Sequence, residues 1–308
     1  MFSYDIVWPF YKDHKYFHRC LNFINSQSIK PKNLIFLNDG DKNPYLFNIL
    51  EKKLNSKINL IYYRNSRNLG ATKTLELGFM KIRSNYFHQI ATDDVIHRKF
   101  IETNLIQLAP RKNVAFTFSK IIYNVEKSKK ATHIPLHFLK NKNWITSNEM
   151  EKFYSSYQFK IYNNTVCFRK KFFLKKNLIK DIYGIGCDML NLQYLSFKYG
   201  CIYINKELAS FTIREGQIGK ITKSPNEYFK LYEKLKKNEN HFLKKFIDCN
   251  LHFDLPVTLQ TVHLLIKKKH LGIFSIRWFL RSIKFSIWKK VRYKVSPRII
   301  NKLSKYFI

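Results

Sequence analysis

The chain has 308 residues, 45% of them hydrophobic, enough for a sizeable core and more than one core usually holds, so a large domain with an appendage, or two domains, is expected. Its 56 Lys and Arg against 21 Asp and Glu, formally +35, make the surface attractive to phosphates, nucleic acids or anionic lipids without naming one, and an AT-rich coding bias gives the same Lys-, Asn- and Ile-rich composition. Cys20, Cys167, Cys187, Cys201 and Cys249 lack the short paired spacing of a zinc or dithiol site, Met1 to Pro9 lacks a signal-peptide pattern, and no window holds the ~18–20 uncharged apolar residues that span a bilayer, so a reduced cytoplasmic setting is expected.

In chain order, Tyr4 to Trp8, Leu34 to Leu37, Ile58 to Tyr63 and His88 to Ala91 read as strands. Between them, residues 14–27, 44–54 and 70–83 place apolar side chains at helical spacing, set off by the turn residues Asn38-Asp39-Gly40 and Asn68-Leu69-Gly70. A strand-helix repeat of this kind predicts an α/β fold with a mostly parallel sheet flanked by helices, whose ligands bind beyond the carboxyl ends of the strands. Further on, Asn164 to Arg169 reads as a strand, Tyr183 to Asp188 as a turn opening a helix that runs to Tyr199, and Cys201 to Ile204 and Leu208 to Ile213 as two more strands. Nothing is recognised around residues 120–165. Beyond about residue 225 the pattern is Lys-dense helix, so residues 1–220 are expected to form a catalytic domain and 221–308 a basic helical extension.

The segment Tyr86 to Val95 stops an apolar run abruptly at Asp93-Asp94. Adjacent carboxylates repel unless water or a counter-ion satisfies them, and a hard divalent cation is a common solution where phosphates are the substrate. A surface turn or a first helical turn also favours acids. The first strand ends at Pro9-Phe10-Tyr11, the second at Asp39 and the fourth at Asp93-Asp94, so one sheet edge would receive an aromatic wall and three carboxylates.

Several motifs in order resemble the large family of inverting nucleotide-sugar glycosyltransferases with the GT-A fold, glycosyltransferase family 2-like, that build bacterial surface polysaccharides. They are Ile6 to Tyr11 followed by Ile24-Asn25-Ser26-Gln27, then Leu37 to Asp41, Asn68-Leu69-Gly70, Ala91 to Asp94, and Gly186 to Leu190 with Leu208 to Phe211. The resemblance covers roughly residues 3–218. It implies that Pro9, Phe10 and Tyr11 line the base pocket, that Asp39 accepts a hydrogen bond from a uracil or thymine ring, and that Asn68 belongs to the donor site. It also implies that Asp93 holds the ribose, that Asp94 with Asp93 binds Mg2+ or Mn2+ on the diphosphate, and that Asp188 is the catalytic base. The sequence departs from the family at Ala91, Asn38 and Cys187, each standing where an acid is usual, and at Arg214, where His is common and a guanidinium contact to the diphosphate is implied instead. Asp188 also fits a helix N-cap, Asp39 and Asn68 fit ordinary turns, and His97 reads as a solvated first-turn residue.

The partners implied are a UDP- or dTDP-sugar donor and a saccharide or lipid-linked acceptor, with no specific nucleic acid. From Lys267 to Lys305 there are thirteen Lys and Arg and no acid, with Ile276, Phe279, Leu280, Ile283 and Ile287 on one helical face and Arg277, Arg281 and Lys284 on another. Such a helix fits an anionic membrane surface at the inner face of the plasma membrane, and it also fits a helix packed on the catalytic domain. A basic nucleic-acid-binding protein and a catalytically inactive assembly partner are the competing readings.

Overall fold

The computed structural model describes residues 2–125, 131–133, 139, 143–157, 161–175, 179, 187–214 and 283. The basic segment 267–305, apart from Ile283, lies outside them, as do Gly184 and Gly186 of the turn before Asp188. The chain divides into two units, residues 1–147 with 161–221, and residues 148–160 with 222–308.

The first unit begins with the expected repeat: β1 (Tyr4–Phe10), α1 (His14–Asn25), β2 (Asn33–Asn38), α2 (Leu46–Lys53), β3 (Asn59–Arg64), α3 (Ala71–Phe79) and β4 (Tyr86–Gln89). These four strands are parallel in the order β3-β2-β1-β4. β1 and β2 are buried along nearly their whole length, as strands covered on both faces are. α1 forms because Tyr16, Phe17, Cys20, Leu21 and Ile24 fall on one face and are buried there. The edge strand β3 is half-exposed.

The second half of the sheet mixes parallel and antiparallel pairs. It adds β5 (Val95–Ile96), β6 (Phe116–Val125), β7 (Ala131–His133), β8 (Trp144–Ile145), β9 (Val166–Arg169) and β10 (Cys201–Ile213). The order continues β4-β9-β6-β10-β5, with β9 antiparallel to both neighbours and β10 parallel to β6. The remaining helices are α4 (Phe100–Leu108), α5 (Ser147–Tyr157), α6 (Lys170–Lys175) and α7 (Cys187–Tyr199). β10 merges the two strands expected at 201–204 and 208–213. The pairing with β6 shifts register between Ile204 and Ala209, and the exposed Asn205, Lys206 and Glu207 occupy that irregularity.

Aromatic side chains fill both faces of the central sheet. Trp8 stacks on Phe17 at 5.1 Å and meets Phe36 edge-on at 5.0 Å, while on the other face Phe87 stacks on Phe168 at 5.0 Å and packs against Phe173 at 4.8 Å. Two buried charges are absorbed by backbone. Asp5 takes N–H bonds from Arg83 at 2.7 Å and Ser84 at 2.8 Å, and Arg169 donates to the carbonyls of Leu108, Arg111 and Val114, closing the carboxyl end of α4.

Gln27, met in the sequence as part of a motif, is a fastener. Its amide donates to Phe23 O and His97 O at 3.0 Å each and accepts from Ile101 N at 3.3 Å, joining the end of α1 to the start of α4. That link fixes the segment just beyond Asp93-Asp94.

Candidate active site

Parallel strands deliver their carboxyl ends to one edge of the sheet, and there the loops after β1, β2, β3 and β4 meet the end of β10. The β4 loop is held firmly. Trp8 Nε1 donates to Thr92 Oγ1 at 2.9 Å, Arg19 Nη2 donates to the carbonyl of Asp93 at 2.7 Å, and Thr212 Oγ1 donates to the same carbonyl. Asp94 N reaches back to Ala91 O at 3.2 Å, making the turn that sets the two acids side by side.

The two acids are treated differently. Asp94 is buried; its Oδ1 accepts the Thr212 N–H at 3.0 Å, and the Asn164 amide also donates to it. Burial first, then the charge of Asp93, pushes the Asp94 carboxyl well above the usual range against those bonds. Asp93, 6% exposed, accepts through Oδ2 from Arg214 Nε at 2.6 Å, and its Oδ1 makes no hydrogen bond among the described residues. Arg214 also donates through Nη2 to Asp13 Oδ1 at 2.9 Å and lies 5.5 Å from the centre of the Tyr16 ring. Its Nη1 makes no hydrogen bond among the described residues.

Asp39 is spent internally. Its Oδ1 accepts from Asn65 Nδ2 and Leu69 N, both at 2.8 Å, and its Oδ2 from Gly70 N at 3.0 Å, so the carboxylate shapes the loop before α3. Asn68 stands exposed on that loop and accepts the Gly70 N–H at 2.8 Å. Gly40 has φ of +76°, and a Cβ there would lie 2.3 Å from the backbone carbon of Arg67, so only glycine lets the two loops touch.

Asn38 explains its own departure from the family pattern. Its Oδ1 accepts from Asp41 N at 2.7 Å while its Nδ2 donates to Tyr62 Oη at 3.0 Å, and a carboxylate could not donate. The negative charge reappears at Asp41, which accepts from Lys12 N at 3.0 Å and meets His14 Nε2 at 3.1 Å. Lys12 has φ of +57°, the left-handed turn that ends β1 and starts α1.

At the end of β1 one expectation is corrected. Phe10 is 1% exposed and packs on Phe17 and Phe36, because it shares the inward face of the strand with Trp8; it supports the floor and presents no face to a base. Tyr11 is 37% exposed and Pro9 is half-buried. Asp188 sits in the first turn of α7, where burial raises its carboxyl and the N–H groups of Met189 and of Asp188 itself pull it back, as at a helix start. Cys187 Sγ lies 4.0 Å from Thr72 Oγ1, which sets the beginning of α7 against the first turn of α3, next to the loop that Asp39 shapes. His97 is exposed, as expected of a first-turn residue.

The family model described as Glycosyl transferase family 2 matches residues 5–182, more than half of the chain. The chain belongs to glycosyl transferase family 2. It is 22% identical over 219 residues to glycosyltransferase GlyA of Streptococcus pneumoniae serotype 4, an alignment that takes in 70% of this chain and 31% of GlyA. The chain thus spans about a third of the length of the curated relative it matches. Among solved structures, S. aureus TarS 1–349 in complex with UDP-GlcNAc matches with a TM-score of 0.61 at 15% identity, over 85% of this chain and 79% of that one. The longer S. aureus TarS structure matches with a TM-score of 0.56 at 12% identity, over 99% of this chain and 52% of that one. The GT-A fold expected from the motifs is therefore the fold found.

Within this family 2 site, the structure brings together Asp93, Asp94 and Arg214, and separately Asp39 with Asn68 and Gly70. Asp13, Arg19, Asp41, Asn164 and Thr212 are participants that the sequence reading passed over. Asp13 carried no signal, since an acid before a helix reads as a cap; Thr212 and Asn164 act through bonds to partners 118 and 46 residues away.

Proposed function

We propose that this glycosyltransferase-family chain moves a sugar from a UDP- or dTDP-sugar to a saccharide or lipid-linked saccharide acceptor, with inversion at the sugar carbon, in building a bacterial surface polysaccharide. The observation that carries the reading is the sheet edge itself: among the described residues Asp93 Oδ1 and Arg214 Nη1 make no hydrogen bond, and they stand next to buried Asp94. An acceptor of ribose hydroxyls and a donor to phosphate oxygens stand together there, which is what a nucleoside diphosphate needs. The TarS structure with UDP-GlcNAc supports a nucleotide-sugar donor on this fold.

In the proposed step the acceptor hydroxyl oxygen bonds to the sugar carbon as the bond from that carbon to the diphosphate oxygen breaks. The hydroxyl proton passes to Asp188, and the nucleoside diphosphate leaves with the electron pair. Arg214 meets the charge that grows on the departing diphosphate through Nη1. Tyr11 offers a face to the base. The carboxylate oxygens of Asp94 and Asp93 suit a hard divalent ion, Mg2+ or Mn2+, and when bound it supplies Lewis-acid neutralisation of the diphosphate. Among the described residues no group of three His, Cys, Asp or Glu is gathered, so water and phosphate oxygens would complete its shell.

The expected result is that UDP or dTDP, with manganese, raises the Tm of the purified chain by several degrees, that GDP and CDP do less, and that an Asp93→Ala/Asp94→Ala protein shows no shift. A flat response to all four nucleotides would overturn the donor reading. An inner-membrane surface is proposed as the working place, on the strength of the basic amphipathic pattern at 267–305. Among the described residues no helix is long and apolar enough to cross a membrane. The full chain is expected to float with vesicles rich in anionic lipid at moderate salt and not with neutral ones; failure to float with either would remove the membrane from the proposal.

A further inference from the structure

Asp13 occupies the N-cap of α1, where an acid ordinarily bonds the free N–H groups of the first turn, yet its side chain makes no capping bond. It is spent instead on Arg214, 201 residues away. The backbone turn at Lys12 sets up this exchange, with His14 turned to Asp41 and Asp13 turned to the end of β10. At 27% and 26% exposure the pair is mostly buried, and burial raises the Asp13 carboxyl more than Arg214 lowers it, so stability alone does not account for the contact.

The geometry of the guanidinium supplies one. Asp93 holds Nε and Asp13 holds Nη2, so the cation is shared between carboxylates from two loops, with the Tyr16 ring 5.5 Å away. A free guanidinium beside a lone carboxylate closes on it bidentately and covers both oxygens. Here Asp93 is engaged through Oδ2 alone. Resting on the donor reading above, we propose that Asp13 is a positioning residue for sugar transfer: by taking Nη2 of Arg214 it keeps one oxygen of Asp93 open for the ribose and keeps the Nη1 edge open for the diphosphate.

Titration calorimetry of the full chain with UDP and with dTDP, each with manganese, tests this. Asp13→Ala is expected to weaken binding of the preferred nucleotide about tenfold, and Asp13→Asn, which keeps an acceptor for Nη2, by less than about threefold. In an Arg214→Met background, Asp13→Ala should cost nothing further beyond about twofold, because its effect passes through the guanidinium. Arg214→Lys, which has no fork for two carboxylates to share, should match Asp13→Ala, and this arm stands even if Asp13→Ala fails to fold. Wild-type affinity in Asp13→Ala or in Arg214→Lys overturns the inference. So does an Asp13→Ala loss of equal size with and without Arg214, which would mark a merely structural role at the start of α1. A wild-type chain that binds neither nucleotide overturns the donor reading and this inference with it.

Discussion

Asp188→Asn is expected to lower the rate of sugar transfer about a thousandfold while leaving nucleotide affinity within about twofold of wild type. The amide keeps the size of the carboxylate and still accepts the N–H bonds at the start of α7, so the helix and the α3 contact beside it should survive. It has no basic oxygen, so the acceptor hydroxyl keeps its proton during attack. Burial raises the Asp188 carboxyl, which fixes the shape of the wild-type pH profile. Rate should climb with pH until the carboxyl is ionised and level off above the ordinary carboxylate range, and the residual rate of the Asn variant should lack that limb. Single-turnover rates across pH with a matched acceptor would show both effects. An Asn variant that turns over near the wild-type rate would return Asp188 to a helix cap and leave the base unassigned.

Asp94→Asn is expected to do two opposed things: remove the metal-dependent response to nucleotide and stabilise the empty protein. The folded state holds the Asp94 carboxyl well above its unfolded range, through burial and the neighbouring Asp93. A raised folded value means that the stability linked to this group is fully present below the unfolded carboxylate range and is lost as pH rises through the folded value. At neutral and alkaline pH the wild-type chain therefore folds around a charge that burial disfavours. Asparagine removes that charge and keeps an oxygen for the Thr212 N–H. Thermal melts should show a Tm gain of about 2–6 °C at pH 8 that shrinks as the pH falls towards 4. A variant less stable than wild type at every pH would mean that the carboxylate is a structural acceptor and not a site held ready for a cation.

Periodicity is enough for the parallel half of the sheet because its strands are short and the first three are each followed by their own helix. The boundaries moved by about two residues at β4, where Ile90 is still bonded to Val7 O but the chain then turns to set Asp93 and Asp94 in place. The other half was hard to read for a physical reason. β9 reads locally as a strand, but its place and that of β6 depend on partners far along the chain, Phe118 facing Val166 and Tyr203. β10 looked like two strands because three exposed residues interrupt its apolar pattern. Motif and order alone put Asp93, Asp94 and Arg214 on one list, and the structure sets Arg214 against Asp93. Phe10 was misplaced because a motif says which residues stand near a base, whereas strand alternation decides which of them turn inward.

Thr212 stands 118 residues after the acid it bonds, and β10 must lie beside β6 before it can do so. During synthesis at about 5–20 residues per second, Asp93 and Asp94 therefore wait roughly 6–24 seconds for their partners after they are made. The four parallel strands and their helices can assemble in that interval, but the acids have neither Thr212 nor Arg214. A ribosome that stalls, or a gene cut short, between the end of β9 and codon 212 yields a chain with much of the sheet and no finished site. Completion of the candidate site is thus a property the growing polypeptide acquires late, with the last described strand.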